Sequence, residues 1–296
     1  MRTTANATQR RPAVRWHAGR MTAGFSAVQA ARAIAVPTAD SDKYSRGVLG
    51  VVTGSDEFPG AAVLGVEAAS RTGVGMIRYL GPDRPAALVL ARRPEVVTAD
   101  GRVQAWLLGS GTSPDRDPAE RERLVGLLAQ GLPVVLDAGS LDLVAETRGP
   151  TVLTPHFGEL APVLRAAGID ATKEQVAAAP ADWAVRAAAA TGRTVLLKGA
   201  TTMVTDPDGL RFAVHAGQPW LATAGSGDVL GGVLGALLAT HAEALAARPA
   251  LLAELAAAAA WLHGEAGRVA SGGAPIQALD IAEAVPAVLR RLLAGA

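Results

Sequence analysis

The sequence predicts an α/β protein of three layers, a central, mostly parallel sheet with helices on both faces. Three observations carry this. Short, continuously apolar runs recur from about residue 47 onward, helical stretches separate them, and the connections are short. Unbroken apolar runs suit strands covered on both faces, and strand–helix alternation with short links sets neighbouring strands parallel.

The elements follow in order. "GVLGVVTG" (47–54) reads as the first buried strand, ending at glycine. "GAAVLGVEAASRTG" (60–73) reads as a helix closed by Gly73. "VGMIRYL" (74–80) is a strand, and "VQAWLLGSG" (103–111) is a strand that runs into a glycine loop. A charge-dense helix is expected near 118–130. "LPVVLDA" (132–138) is a strand with an acid at its end, and "TVLTPH" (151–156) is a strand stopped by Pro155. "GELAPVLRAAG" (158–168) is a helix, with Pro162 expected in or just after its first turn. "TVLLKGA" (194–200) is a strand that ends in lysine and glycine. "TTMVTDPDGLRFAVH" (201–215) is a hairpin with Asp-Gly at its turn. Two long alanine-rich helices fill most of 228–268. There is no internal repeat and no linker in the middle of the chain.

Composition narrows the function classes. Half of the 296 residues are hydrophobic, enough for a large core. The net charge of +1 gives no basis for bulk binding to nucleic acid or to a membrane surface. Cysteine is absent, which removes disulfides, thiolate metal sites and cysteine nucleophiles, and fits the cytoplasm. The apolar stretch "LLAELAAAAAWLHG" holds Glu254 and falls short of the ~20 residues that span a bilayer, so it reads as a buried helix. The first 32 residues carry Arg2, Arg10, Arg11, Arg15, Arg20 and Arg32 and no acid. They lack a signal-peptide core, although an arginine-rich, acid-poor start imitates an organelle transit peptide. Residues 1–36 therefore read as a disordered or variable extension, with Met21 as an alternative start, and 37–296 as one domain.

Ligands of such folds bind outside the carboxyl ends of the strands. Gly109-Ser110-Gly111, Asp137, His156 and Lys198-Gly199 all fall at or just after those ends. "TAGSGDVLGG" (223–232) adds Gly225-Ser226-Gly227 running into one carboxylate, Asp228, where a helix begins. Glycines there bring backbone N–H groups close to a ligand, and the helix N-terminus favours an anion. Asp228 has two readings. It is an N-cap, or it is a base that takes a proton from a hydroxyl attacking a phosphate. The flanking glycines favour the second, since a plain cap needs neither Gly225 nor Gly227.

Five segments appear in a telling order: "KYSRGVLGVVTGSDEFPGAAVLGVEAASRTGVGMIRY" (43–79), "VVLDAGSLDLV" (134–144), "TPHFGELAPVL" (154–164), "VLLKGATTMV" (195–204) and "LATAGSGDVLGGVLGALLA" (221–239). Together they resemble the ADP-dependent NAD(P)H-hydrate dehydratase family of the ribokinase-like superfamily, over about residues 40–290. The resemblance implies a three-layer ribokinase-like fold and a metabolite-repair reaction. The ring hydroxyl of hydrated NADH or NADPH is phosphorylated by ADP as co-substrate, and phosphate then leaves to restore the ring double bond. It implies Asp228 as base, the amides of Gly225, Ser226, Gly227 and Asp228 as anion hole, and Mg2+ on the phosphates. It places AMP against Lys198, Gly199, Ala200, Thr201, Thr202 and Gly227, and the hydrate against Ala62, Gly109, Gly111, His156 and Asp228. A homo-oligomer, a tetramer by resemblance, and a separate epimerase acting upstream are also implied.

Three positions depart from the family pattern. Phe157 replaces the second proline of "TPHPGE", "GSGTS" (109–113) replaces "GPGLG", and Gly139 replaces the second acid of "LDADAL". The second change puts loop rigidity in question. The third leaves Asp137 as either a strand-end cap or a group behind a metal. Without the resemblance, Lys198 reads as a solvated strand-end lysine, His156 as a loop residue and Ala62 as helix packing. Lys43 and Arg46 read as contacts to substrate phosphates or as surface charge. Two other functions stay open here: a small-molecule kinase of the hydroxymethylpyrimidine or hydroxyethylthiazole type, and a nucleotide sensor without catalysis.

Overall fold

The computed structural model describes residues 24–295. The expectations for residues 1–23, including the start at Met21, lie outside them. At the centre are strands β1 (Val48–Val52), β2 (Met76–Tyr79), β3 (Ala105–Leu108), β4 (Val134–Leu136), β5 (Thr151–Leu153), β6 (Thr194–Leu197), β7 (Thr202–Thr205) and β8 (Arg211–Val214). They form one sheet in the order β2-β1-β3-β4-β5-β6-β7-β8. The first six pair in parallel and the last two antiparallel. Every strand falls inside a stretch that the sequence marks.

Side chains along each strand alternate between two cores. Leu49, Val51, Leu107, Val135 and Leu196 face one core, while Val48, Val52, Trp106, Leu136 and Leu197 face the other. Both faces are therefore covered, which is why the strands read as unbroken apolar runs rather than as alternation.

The helices are α1 (Ala27–Arg32), α2 (Gly60–Thr72), α3 (Asp83–Arg92), α4 (Pro118–Leu128), α5 (Phe157–Ala166), α6 (Lys173–Ala178), α7 (Pro180–Thr191), α8 (Ser226–Thr240), α9 (Ala242–Ala247), α10 (Leu251–Ser271) and α11 (Ala278–Ala294). Helices α2, α8, α10 and α11 cover the first core, while α4, α5 and α7 cover the second. The two long helices expected in 228–268 are α8 and α10, with the short α9 between them and Pro249 separating α9 from α10. Pro162 sits six residues into α5, just after its first turn. Residues 24–36, within the stretch read as an extension, carry α1. There Ala30 is fully buried, and Phe25 meets Phe212 edge to face at 5.4 Å. No helix among the described residues is long and apolar enough to cross a membrane.

One contact sets the height of α8 over the sheet. A Cβ on Gly232 would stand 2.1 Å from the Gly65 carbonyl oxygen, so α2 and α8 touch backbone to backbone. Any larger residue at 232 would lift α8, and with it the acid at its start.

Candidate active site

Five parallel strand ends and the start of α8 converge on one place. Gly225 is the N-cap residue of α8, in a left-handed conformation (φ 86°) that glycine adopts without strain. No side chain caps this helix. Ser226 N–H donates to the Thr223 carbonyl at 3.3 Å, no side chain takes the amides of Gly227 and Asp228, and the helix dipole makes that end attractive to an anion. Asp228 is the third residue inside the helix, so the N-cap reading of Asp228 is excluded by position.

Lys198 closes the other side. Its ammonium lies 2.8 Å from Asp137 and 3.6 Å from Glu159, and a Cβ on Gly227 would stand 3.6 Å from it. Burial pushes the Lys198 ammonium down, but the carboxylates of Asp137, Glu159 and Asp228 outweigh it and hold the group above its ordinary value. A fixed cation thus stands beside a bare helix N-terminus, the arrangement that a phosphate requires. At Asp228 burial dominates and raises the carboxyl. The Ser110 hydroxyl bond opposes it, Asp137 adds to it and Lys198 draws it back, with the net direction upward. A raised carboxyl is a better proton acceptor.

A cleft of about 810 Å³ opens next to this charge cluster. The sequence-expected residues His156, Lys198, Gly199, Ala200, Thr202, Ser226 and Gly227 line it. The Thr201 hydroxyl is hydrogen-bonded to His215 at 3.1 Å. Sequence reasoning missed the apolar wall of Pro219, Leu221, Leu230 and Ala260, and it missed His263. His263 is bonded to the Ser226 hydroxyl at 3.1 Å, and burial holds its ring neutral, at about 4. A signal was there: His263 is the one titratable side chain between Glu254 and Glu265 in an apolar run.

The remaining expected residues lie on the far side of Asp228. Ser110 donates to Asp228 Oδ1, which ties the loop after β3 to α8. Gly54 donates to the Ser110 carbonyl at 2.7 Å, and a Cβ on Gly111 would meet Ala61 and Gly54. Gly109 accepts from Thr112 at 3.0 Å and Gly139 at 3.3 Å. Ala62 is fully buried under Gly54, so its side chain supports this loop pair from beneath. Asp228 thus stands between the cleft and a glycine-lined loop cluster.

The departures from the family pattern have local reasons. The Phe157 ring lies against Gly199. The reciprocal cap that follows it is intact: Glu159 N–H donates to His156 Nδ1 at 3.1 Å, and His156 N–H donates to Glu159 at 2.8 Å. His156 is therefore the N-cap of α5 as well as a cleft residue. Gly139 packs on Thr112, where a Cβ would stand 2.4 Å from its carbonyl oxygen, so no acid fits there. Asp137 pairs with Lys198 and accepts from Thr154 at 2.8 Å. Lys43 and Arg46 precede β1, at the opposite end of the sheet from the cleft, and Arg46 donates to the Gly73 carbonyl. A five-residue strand holds them roughly 16 Å away, out of reach of the site. Among the described residues no three His, Asp or Glu side chains are grouped to hold a metal ion.

Comparisons with known proteins bear on the family and the fold. A sequence model described as NAD(P)H-hydrate dehydratase matches residues 49–286. The ADP-dependent (S)-NAD(P)H-hydrate dehydratase of Neisseria meningitidis is 37% identical over 258 residues, 81% of this chain and 82% of that protein. The bifunctional NAD(P)H-hydrate repair enzyme Nnr of Mycobacterium tuberculosis is 46% identical over 229 residues, 73% of this chain and 46% of that protein. The chain thus spans about half the length of such bifunctional relatives. The crystal structure of the ADP/ATP-dependent NAD(P)H-hydrate dehydratase of Bacillus subtilis, co-crystallised with ATP/Mg2+, superposes with a TM-score of 0.79. It covers 91% of this chain and 98% of that chain at 24% identity, a likeness of fold.

Proposed function

Because the chain belongs to the NAD(P)H-hydrate dehydratase family, we propose that it dehydrates the S-epimer of hydrated NADH or NADPH at the expense of ADP, giving AMP and phosphate. The observation that carries this reading is the position of Asp228, between a bare helix N-terminus flanked by Lys198 and the glycine loop of Ser110.

The nucleotide occupies the cleft, its base against Leu221, Leu230 and Ala260, its phosphates at Gly227 and Lys198. The hydrate binds by the glycine loops, with its ring hydroxyl at the Asp228 oxygen that Ser110 does not hold. Asp228 takes its proton as the oxygen forms a bond to the β-phosphorus, and AMP departs with the electrons of the broken P–O bond. The helix amides and Lys198 hold the charge that spreads over the transferred phosphoryl oxygens. Phosphate is a far better leaving group than hydroxide. The ring carbon–oxygen bond then breaks with its electron pair leaving on phosphate, the neighbouring carbon gives its proton to the departing phosphate, and the double bond returns. Atoms balance: the hydrate and ADP become NAD(P)H, AMP and phosphate. The described side chains form no cage for a metal, so Mg2+ would arrive on the phosphates of ADP, whose charge it would neutralise.

Action in the cytoplasm, assembly as a homo-oligomer of four, and supply of the S-epimer by a separate epimerase belong to the same proposal. The direct test is recovery of the NADH absorbance band from hydrated NADH on addition of ADP, with AMP formed in equal amount. Consumption of nucleotide without recovery of NADH would favour a kinase that stops at the phosphorylated product.

A further inference from the structure

We propose that Ser110 is a positioning residue for Asp228: its hydroxyl holds one carboxylate oxygen so that the other is presented to the attacking hydroxyl. The inference rests on Asp228 acting as the base. Ser110 follows β3, is 2% exposed, and is anchored through its carbonyl by the Gly54 amide at 2.7 Å. Its hydroxyl donates to Asp228 Oδ1. Asp228 Oδ2 faces the other way: a Cβ on Gly225 would stand 3.6 Å from it, so this oxygen looks back along the glycine turn towards the start of α8. The two oxygens are therefore not equivalent. One is committed to a rigid loop, and the other, beside the Gly225 turn, is left for the hydroxyl proton. In the transfer step the hydroxyl proton goes to Oδ2, while Ser110 keeps its own proton throughout.

The same bond tunes basicity. The charged groups facing Asp228 are Asp137 at the end of β4 and Lys198 at the end of β6, the latter shared with Glu159 of α5. Among these, Ser110 is the neutral donor that favours the charged carboxylate against its burial. Removing it should leave a carboxyl that stays protonated to higher pH and swings between rotamers.

The test is the pH profile of Ser110→Ala beside Ser110→Thr. For alanine the expected result is a kcat about tenfold lower near neutral pH, because the carboxylate loses its fixed orientation towards the hydroxyl. The acid limb of kcat should move to higher pH, with KM for ADP and the melting temperature near wild type. Threonine keeps the hydroxyl and should restore the wild-type acid limb. Should alanine not fold, Ser110→Cys, a weak donor, takes its place with the same direction expected. An acid limb and kcat for alanine equal to wild type would overturn the inference. An inactive wild type would instead overturn the proposed function, and activity surviving in Asp228→Asn would overturn the base assignment, so the failures are distinguishable.

Discussion

Lys198 Nζ stands 2.8 Å from Asp137 Oδ1 although β6 and β4 are not neighbours. Strand β5 lies between them, and Thr154 at its end donates to the same oxygen at 2.8 Å. The ion pair thus ties three strand ends together and fixes the ammonium beside Gly227. Lys198→Met is expected to weaken ADP binding at least about tenfold and to cost ~1–3 kcal/mol of stability. The stability loss should stay below the ~3–5 kcal/mol of a fully buried broken pair, because Lys198 is 20% exposed. Titration calorimetry with ADP and thermal melting measure both, and unchanged affinity would remove Lys198 from the anion site.

Asp228→Asn separates base from structural acid. Turnover should fall about a hundred- to ten-thousandfold, with nucleotide affinity retained because the cradle is backbone. The stability effect has a sign. A carboxyl raised in the folded state penalises folding at pH above its folded value, and the penalty fades as pH falls towards the ordinary value of 3.8. Asp228→Asn should therefore melt at or above wild type at neutral pH and converge with it in acid. Lower melting at neutral pH would contradict this account.

Glu67 supplies the opposite case. Its side chain is fully buried on α2, with Arg71 and Arg93 at 2.5 Å and Arg92 at 3.2 Å. Burial pushes its carboxyl up, but the three guanidinium bonds dominate and bring it from 4.5 down to about 2. The stability it contributes is complete above 4.5 and lost as pH falls towards 2. The arginines are partly exposed, so after screening the contribution is about 2 kcal/mol. Glu67→Gln should be less stable than wild type at pH 7, with the gap closing across that acid window in a series of melts.

The entry to the described chain can be divided by truncation. Removing residues 1–20 should leave activity and melting temperature unchanged, since a stretch of that composition buries little apolar surface. Phe25→Ala should cost about 3 kcal/mol, because this ring is 7% exposed and packs on Phe212. Equal melting of Phe25→Ala and wild type would show that α1 adds nothing to the core.

The sequence by itself determined the layers and the edge of the sheet where a site could form. Short apolar runs ending at glycine and alternating with helical stretches read as doubly covered strands. The ends of those runs named Gly109, Asp137, His156 and Lys198, because a parallel sheet gathers its strand ends on one edge. What it could not determine was depth, direction and partner. Whether Asp228 caps α8 or stands inside it depends on where the first helical turn begins, and the left-handed Gly225 decides that. Lys43 and Arg46 looked available for phosphate, but strand direction carries them to the opposite end of the sheet. Ser110 read as a loss of loop rigidity, and only the approach of α8 to β3 turns its hydroxyl into a bond to Asp228 across 118 positions. His263 was hidden in an alanine-rich helix, where periodicity reports burial but not which neighbour fills the space. Local pattern specifies elements because propensity and burial act along the chain, whereas contacts between distant residues exist only after the backbones of α2 and α8 have met at Gly65 and Gly232.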